Sequence, residues 1–484
     1  MDKQEAAGFP WATGWARTAP MQVIAEMKYA DEGRVAAVAR MLAAVAPPGS
    51  VLLLDGPVGA GKTHFARAFI RARQGEGAEE VPSPTFTLVQ TYDSPGGEIW
   101  HADLYRLGDP SELEELGLEE AMAGGATGLV EWPDRLDAVP EGALWLRLSP
   151  GAGPDLRDLA FAGDGWPGLG RDLARAGFVH AAGRGDARVV PLAGDASARR
   201  YFRLLDQGSA ILMDDPPPGS IADYLAMTGW LRDRGFGAPE VLAQDPATGF
   251  LLLEDLGDDL IARLVAAQPG RADEVYGRII GLLIELHRYP PPDFVRPLDA
   301  AALGDLTRMF TEYYPGADAA PDLPAVVTRL AGATGAGVPT ITSLRDFHAE
   351  NLVWRGDAPL GILDFQDAVA AHPAYDLVSA LQDARRDVDP ALEAAMIRRY
   401  LDGRDDPAFR AAYALLGAQR ALRILGIFAR LAVRDGKTRY LAMMPRVWGY
   451  LQRNLAHPAL ADLAALLAPV PAPEPALLER MANA

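Results

Sequence analysis

The sequence predicts two domains of different class: an alternating α/β domain, then a bilobal α+β domain with a small β-rich lobe and a larger helical lobe. Three observations carry this. The apolar run "SVLLLDG" (Ser50–Gly56) leads through "GPVGAGKT" into the helical "KTHFARAFIRAR". Near residue 350, "LRDFHAENLVW" and "GILDFQD" place two acids and an amide around one short apolar hairpin. Between these stretches lies a Gly/Pro-dense break, "LSPGAGPDLRDLAFAGDGWPGLG" (Leu148–Gly170). With 484 residues, 49% of them hydrophobic, the chain can bury two or three cores.

The elements follow in order. "DEGRVAAVARMLAAV" has the spacing of a helix. "TFTLVQTYD", "EIWHADLYRL" and "TGLVEWPD" read as strands with polar exits, and strand exits carry function in α/β sheets. "ALWLRL" and "LRDLAFAG" form a closing hairpin, which puts the domain boundary near Gly163–Gly168. Beyond it, "RVVPLAG", "RYFRLL", "SAILMDD" and "FLLLEDLG" are strands. "DEVYGRIIGLLIELHRY", "ALEAAMIRRYL", "AYALLGAQRALRILGIFARLAVR" and "RVWGYLQRNLA" are helices. The division is a loose tail over 1–20, a first domain over 21–165 and a second over 166–484. The second splits into an N-lobe to about residue 256 and a C-lobe over about 257–484.

Composition narrows the function. The formal charge is −19, so a free-standing nucleic-acid binder is not expected, and an RNA role runs through a partner. The absence of cysteine excludes disulfides, zinc thiolates and thiol nucleophiles. The first twenty residues lack a secretory h-region. No apolar run reaches the roughly 18–20 residues that span a bilayer. A cytoplasmic protein without membrane contact is expected.

Gly56-Pro-Val-Gly59-Ala60-Gly61-Lys62-Thr63 fits G-x-x-x-x-G-K-[ST] in full. The glycines let backbone N–H groups curl round anionic oxygens. Lys62 supplies a charge to the β/γ-phosphates, Thr63 a hydroxyl to Mg²⁺, and the following helix points its positive end at the phosphates. Hydrolysis of ATP further needs metal-ordering carboxylates. Asp103 and Glu131 leave adjacent candidate strands, and Thr85 in "PSPTFTL" is a candidate switch residue. For each acid a solvated strand end is an equal alternative.

"GPVGAGKTHFAR", "VPSPTFTLVQTY", "HADLYRL" and "LVEWPDRL" occur in this order. Together they resemble the TsaE family, the ATPase subunit of bacterial tRNA threonylcarbamoyladenosine biosynthesis, over about Met21–Ala162. The resemblance implies a P-loop NTPase fold and ATP hydrolysis in the service of a tRNA-modifying complex. Its partners would be the threonylcarbamoyl-transferring subunit and its paralogous companion, with tRNA met indirectly. It implies metal and hydrolysis roles for Thr63, Asp103 and Glu131, a switch role for Thr85, and Trp132 beside the nucleotide.

In the second constellation, Asp346 stands five residues before Asn351, and Asp364 follows the hairpin. Phosphoryl transfer to a hydroxyl needs such a set: Asp346 to accept the proton, Asn351 and Asp364 to hold Mg²⁺ on ATP oxygens. His348 lies between them and reads equally as a hydrogen-bonded loop residue or a substrate contact. Asp376 reads as an anchor of the loop. This half, about Leu169–Ala456, resembles the aminoglycoside-phosphotransferase-like kinases, a protein-kinase-like α+β fold. "GDASARRYFR", "LMDDPP", "LDFQDAVAAHPAYDL" and "QRALRILGIFARL" bring it nearest the AmgK group of anomeric kinases of N-acetylmuramate and N-acetylglucosamine. The resemblance implies a phosphate-covering hairpin with Ser197 and Arg199, and a hinge at Glu254–Leu256 for adenine. Gln419, Arg420 and Arg423 are candidate contacts of the amino-sugar substrate. Two positions depart from the kinase pattern: Met213 stands where a strand lysine is usual, and Leu344 where a histidine precedes Arg345-Asp346. Arg199 or Arg200 is the expected replacement for the lysine. Three readings follow: two live enzymes in one chain, a tRNA-modification ATPase with a phosphotransferase-like binding module, or a sugar kinase with a P-loop adaptor.

Overall fold

The computed structural model describes residues 23–107, 116–136, 138–163, 166–192, 199–219 and 221–483. The predicted N-terminal tail therefore lies outside the described residues, as does Ser197. The chain forms two compact units, residues 1–219 with 241–255, and residues 220–240 with 256–484.

The first unit contains two sheets. β1 (Val23–Ala30), β2 (Val51–Asp55), β3 (Val89–Tyr92), β4 (Ile99–Asp103), β5 (Thr127–Glu131), β6 (Leu144–Pro150) and β7 (Arg157–Ala162) lie in the order β1-β7-β6-β2-β5-β4-β3. β2, β4, β5 and β6 run parallel, and β1, β7 and β3 are antiparallel to their neighbours. The β6–β7 hairpin is the one predicted, with Trp145 opposite Ala162. The predicted strand "TFTLVQTYD" is shorter than expected. Pro84–Thr87 is a turn, Leu88 takes φ 63° and accepts the bend, and only Val89–Tyr92 pairs with β4. The second sheet, β11-β12-β10-β9-β8, is antiparallel throughout; its strands are β8 (Arg188–Leu192), β9 (Arg200–Asp206), β10 (Gly208–Asp214), β11 (Val241–Asp245) and β12 (Phe250–Glu254).

The two sheets share one hydrophobic core rather than separating at Gly163–Gly168. α1 (Glu32–Val45) shows why. Ala36, Ala37, Val38 and Ala39 are each 4% exposed or less. Four consecutive residues at about 100° each sweep the whole circumference of a helix, so α1 is buried on every side. α2 (Lys62–Gln74) packs on one side and the helix Leu169–Ala181 on another. The same core takes in Leu173 and Val179 of that helix together with Phe202, Leu212 and Phe250 of the second sheet.

Charge locks the joint. Arg171 Nε donates to Asp214 Oδ1 at 2.9 Å and Arg175 Nε to Asp214 Oδ2 at 2.6 Å. Arg175 also meets Asp172, which accepts from Trp166 Nε1 at 3.1 Å. The side chains of Arg175 and Asp214 are each 2% exposed.

The second unit is mainly helical. Its long helix Pro407–Val433 runs 27 residues and packs against Met444–Leu455, Arg308–Tyr313 and Ala374–Leu381, while Ala272–Leu286 and Pro390–Tyr400 pack on each other; the long helix, Met444–Leu455, Ala272–Leu286 and Pro390–Tyr400 match the predicted helices. The helices Ile221–Arg232, Arg308–Tyr313 and Leu323–Ala333 were not anticipated. β13 (Arg296–Pro297), β14 (Ile341–Ser343) and β17 (Val369–Ala371) form one small sheet. β15 (Leu352–Val353) and β16 (Gly361–Ile362) form the predicted hairpin, with Leu352 opposite Ile362.

Breaking a buried ion pair from one side leaves a dry, unpaired charge. Asp214→Ala is predicted to lower the stability of the first unit by about 3–5 kcal/mol. Chemical denaturation of wild type and variant, compared at the midpoint, checks it.

Candidate active sites

The first site is built where β2 turns into α2. Gly56 has φ 143°, and a Cβ there would lie 2.2 Å from the Leu148 carbonyl oxygen. Gly61, at φ 103°, caps α2 without a side chain in the way. A Cβ on Gly59 would meet nothing within 4 Å, and Ala60 beside it is buried. Lys62 Nζ donates to the Gly56 and Pro57 carbonyls at 2.8 and 3.1 Å and stands 3.9 Å from the Trp132 ring centroid. Burial lowers the pKa of this ammonium, opposed by the negative charge of Glu131 and Asp103.

The acids come from neighbouring strand ends, since Asp103 and Glu131 are partners in the β4–β5 register. Thr63 Oγ1 donates to Glu131 Oε2 at 3.1 Å, and Thr85 Oγ1 donates to Asp103 Oδ2 at 2.6 Å. The turn that replaced the expected strand is what carries Thr85 to Asp103. His101 belongs to this group as well: it is fully buried, and its Nε2 lies 3.0 Å from Glu131 Oε1. Sequence reasoning missed it, because a single strand histidine carries no pattern; its place two residues before Asp103, on the same strand face, was the available signal.

The second unit holds the other constellation. Asp376, fully buried, accepts from Ser343 Oγ at 2.7 Å, Leu344 N at 2.8 Å and Arg345 N at 3.1 Å. Burial pushes its carboxyl up to about 6 against those bonds. It is the anchor predicted. Leu344 serves the anchor through its backbone, and its side chain is buried. The loop so held is strained at two points, Arg345 at φ 68° and Asp364 at φ 56°. Such backbone persists where surrounding contacts over-determine it. Asn351 Nδ2 donates to the Asp346 carbonyl at 2.9 Å, and its own carbonyl accepts from Leu363 N at 2.9 Å. Asp364 is exposed and accepts from Gln366 Nε2 at 2.8 Å. Asp346, Asn351 and Asp364 are thus drawn into one short segment.

Asp346 is set electrostatically. Burial raises its carboxyl, but Arg420 and Arg423 outweigh burial and hold it below the usual range. Arg420 Nη2 lies 3.6 Å from Asp346 Oδ1, and its Nη1 donates to the Arg345 carbonyl at 3.0 Å. Arg423 Nη1 donates to the Tyr375 hydroxyl at 3.4 Å. His348 Nε2 is 2.9 Å from Arg385 Nη1. Arginine has no acceptor, so this nitrogen of His348 accepts and the ring is neutral. Burial, then the Arg385 charge, lower its pKa to about 4. Arg385 went unnoticed in the sequence because it lies 39 residues beyond Asp346. Gln419 is a correction: it is fully buried and donates to the Leu303 carbonyl at 3.1 Å, so it packs helices rather than facing a sugar.

In the first unit, Met213 is fully buried in β10. Arg199, proposed as a substitute for the missing lysine, donates to Asp215 Oδ2 at 3.0 Å. Burial would lower its pKa, but Tyr201 and Asp215 raise it further. Glu254 ends β12, and Leu256 is the first residue of the second unit on that side.

Residues 29–153 match the family model described as threonylcarbamoyl adenosine biosynthesis protein TsaE. A tRNA threonylcarbamoyladenosine biosynthesis protein TsaE of Bacillus subtilis is 39% identical over 131 residues, 27% of this chain and 79% of the relative. Residues 188–413 match the phosphotransferase enzyme family APH. An N-acetylmuramate/N-acetylglucosamine kinase of Caulobacter vibrioides is 42% identical over 347 residues, 61% of this chain and 95% of the relative. The chain belongs to both families. A second kinase of that description, from Pseudomonas aeruginosa, is 34% identical over 306 residues and 89% of its length. The TsaE part supplies a P-loop NTPase domain and the APH part a protein-kinase-like phosphotransferase, and both families use ATP. No helix among the described residues is long and apolar enough to cross a membrane.

Two outcomes are expected. Phosphates entering the loop will draw Lys62 off the Trp132 ring, so ATP will change tryptophan emission, and Trp132→Phe will abolish that change in a fluorescence titration. Removing a neighbouring cation raises a carboxyl pKa. Arg420→Met will therefore move the acid limb of kcat/KM for phosphoryl transfer to higher pH, as a pH–rate profile will record.

Proposed function

We propose that the chain is a bifunctional enzyme. The TsaE part, residues 21–165, hydrolyses ATP for tRNA threonylcarbamoyladenosine formation. The APH part, residues 166–484, phosphorylates the anomeric hydroxyl of N-acetylmuramate or N-acetylglucosamine for cell-wall recycling in the cytoplasm. The observation that carries this reading is that each half keeps its own full set of oxygen groups: Thr63, Asp103 and Glu131 in one, Asp346, Asn351 and Asp364 in the other.

Both sets suit Mg²⁺, a hard ion that takes oxygen donors and keeps several waters. Bound, it would neutralise phosphate charge, held by Thr63, Asp103 and Glu131 in the first site and by Asn351 and Asp364 in the second. In the TsaE part, the loop from Gly56 to Gly61 cradles the phosphates by backbone N–H groups, and Lys62 adds its charge there. Glu131, oriented by His101 and Thr63, orders the attacking water. Thr85 on Asp103 reports whether the γ-phosphate is present. The partners are the threonylcarbamoyl-transferring subunit and its paralogous companion, through which tRNA is reached.

In the APH part, Glu254–Leu256 takes adenine. Asp346 accepts the proton of the sugar hydroxyl as that oxygen bonds to the γ-phosphorus and the bond to the β-phosphate oxygen breaks. A sugar 1-phosphate and ADP leave. A carboxyl held below the usual range is fully ionised at neutral pH and ready to accept. Arg423 and Arg420 line the same loop and contact the sugar. His348 is kept neutral by burial and by Arg385 beside them.

Separate substitutions test the reading. Asp346→Asn is expected to lower sugar phosphorylation by about 10²–10⁴-fold and to spare P-loop ATP hydrolysis. Lys62→Ala will do the reverse. A panel of N-acetylated sugars, with the phosphorylated position read by NMR, identifies the substrate. Unchanged sugar turnover in Asp346→Asn, or a flat response across the panel, sinks the assignment of the second site.

A further inference from the structure

An acidic chain carries a concentrated basic recess. In the first unit, α1, α2 and the start of β8 enclose a groove of about 360 Å³ lined by Arg40, His64, Arg67, Arg71 and Arg188, with Asp186 at its edge. Arg67 and Arg71 sit one helical turn apart on α2 and so project from one face. The TsaE part contributes Arg40, His64, Arg67 and Arg71, and the start of the APH part contributes Arg188 and Asp186. Neither part holds the site alone.

The cations there are under-compensated. Arg71 has no hydrogen-bond or ion-pair partner for its side chain among the described residues. Arg67 spends only Nε, on the Val81 carbonyl at 2.8 Å. Arg188 Nη2 meets Glu76 at 3.5 Å, and Arg40 Nη2 meets Asp186 at 3.1 Å. The depth of each partner decides what these pairs are worth. Arg40 and Arg188 side chains are 22% and 34% exposed, whereas Asp186 and Glu76 are 89% and 92% exposed. The counter-ions stand in water and the guanidiniums are recessed, so the pairs are weak and easily exchanged. Burial and the facing Arg71 charge together push Arg40 down, against Asp186. Like charges crowded in a recess are relieved by an anion that enters it, and guanidinium forks match phosphate oxygens in pairs. The volume suits a small molecule rather than a helical polymer.

We propose that this groove is a binding site, separate from both ATP sites, for a small phosphorylated molecule carrying two or more negative charges. Inorganic pyrophosphate is the probe. Calorimetric titration would use the full chain in EDTA at constant ionic strength, in the Lys62→Ala background, so that neither a loaded P-loop nor a metal-dependent site holds the probe. Saturable binding is expected, weakened at least tenfold by Arg71→Ala with Arg188→Ala. Asp186→Ala, which removes the competing carboxylate, is expected to tighten it severalfold. Circular dichroism of the variants guards against a folding effect. Binding that vanishes with Lys62→Ala, or that survives the double arginine substitution unchanged, overturns the proposal. So does the absence of saturation.

Discussion

The first unit depends on one carboxylate. Asp214 closes β10 in the dry interior and would be intolerable there alone. Arg171 and Arg175 make it tolerable, and both come from a single helix, Leu169–Ala181. That helix is therefore fastened to the β8–β12 sheet by charge and to α1 by apolar contact. α1 in turn backs α2, whose first residues are Lys62 and Thr63. The order in which these parts support one another runs from Asp214 to the phosphate loop, so the kinase-like sheet is a structural wall of the TsaE part and not an appendage.

The two sites solve one electrostatic problem by opposite means. In the TsaE part, positive potential comes from backbone N–H groups and a helix end, and the carboxylates are quietened by hydroxyls, Thr63 on Glu131 and Thr85 on Asp103. In the APH part, the backbone is bent into unfavourable φ at Arg345 and Asp364, and a carboxylate is kept ionised by guanidiniums. The first arrangement restrains two acids by hydroxyls. The second sets one acid among guanidiniums. The chemistry of each half follows from which groups surround its acid.

What the sequence made legible was what backbone geometry demands. The loop from Gly56 to Gly61 needs glycines in fixed places, and the β15–β16 hairpin, with Leu352 opposite Ile362, brings the segment ends at Asn351 and Asp364 to the same end. Paired strands were visible because alternation and turn residues agree, as in β6 and β7. What stayed hidden depended on contacts far along the chain. His101 matters through Glu131, thirty residues away, and Arg385 through His348. Gln419 looked like a substrate contact because a polar residue on a helix has no sign of its depth; it is fully buried, with its Nε2 on the Leu303 carbonyl. Thr85 begins the expected strand "TFTLVQTYD", yet the turn at Pro84–Thr87 takes its place. The shared core was invisible for a related reason. A helix that is apolar all round, such as α1, announces burial but not what buries it.

The joint at Leu169–Ala181 also sets the terms on which a cell holds these two domains. Two enzymes on separate chains can be made, degraded and diluted independently. Here a ribosome delivers them in equal number. A lesion in the common interior reaches the TsaE sheet and the β8–β12 sheet together. The TsaE part and the APH part are thereby tied in abundance, whatever the separate rates at which each works.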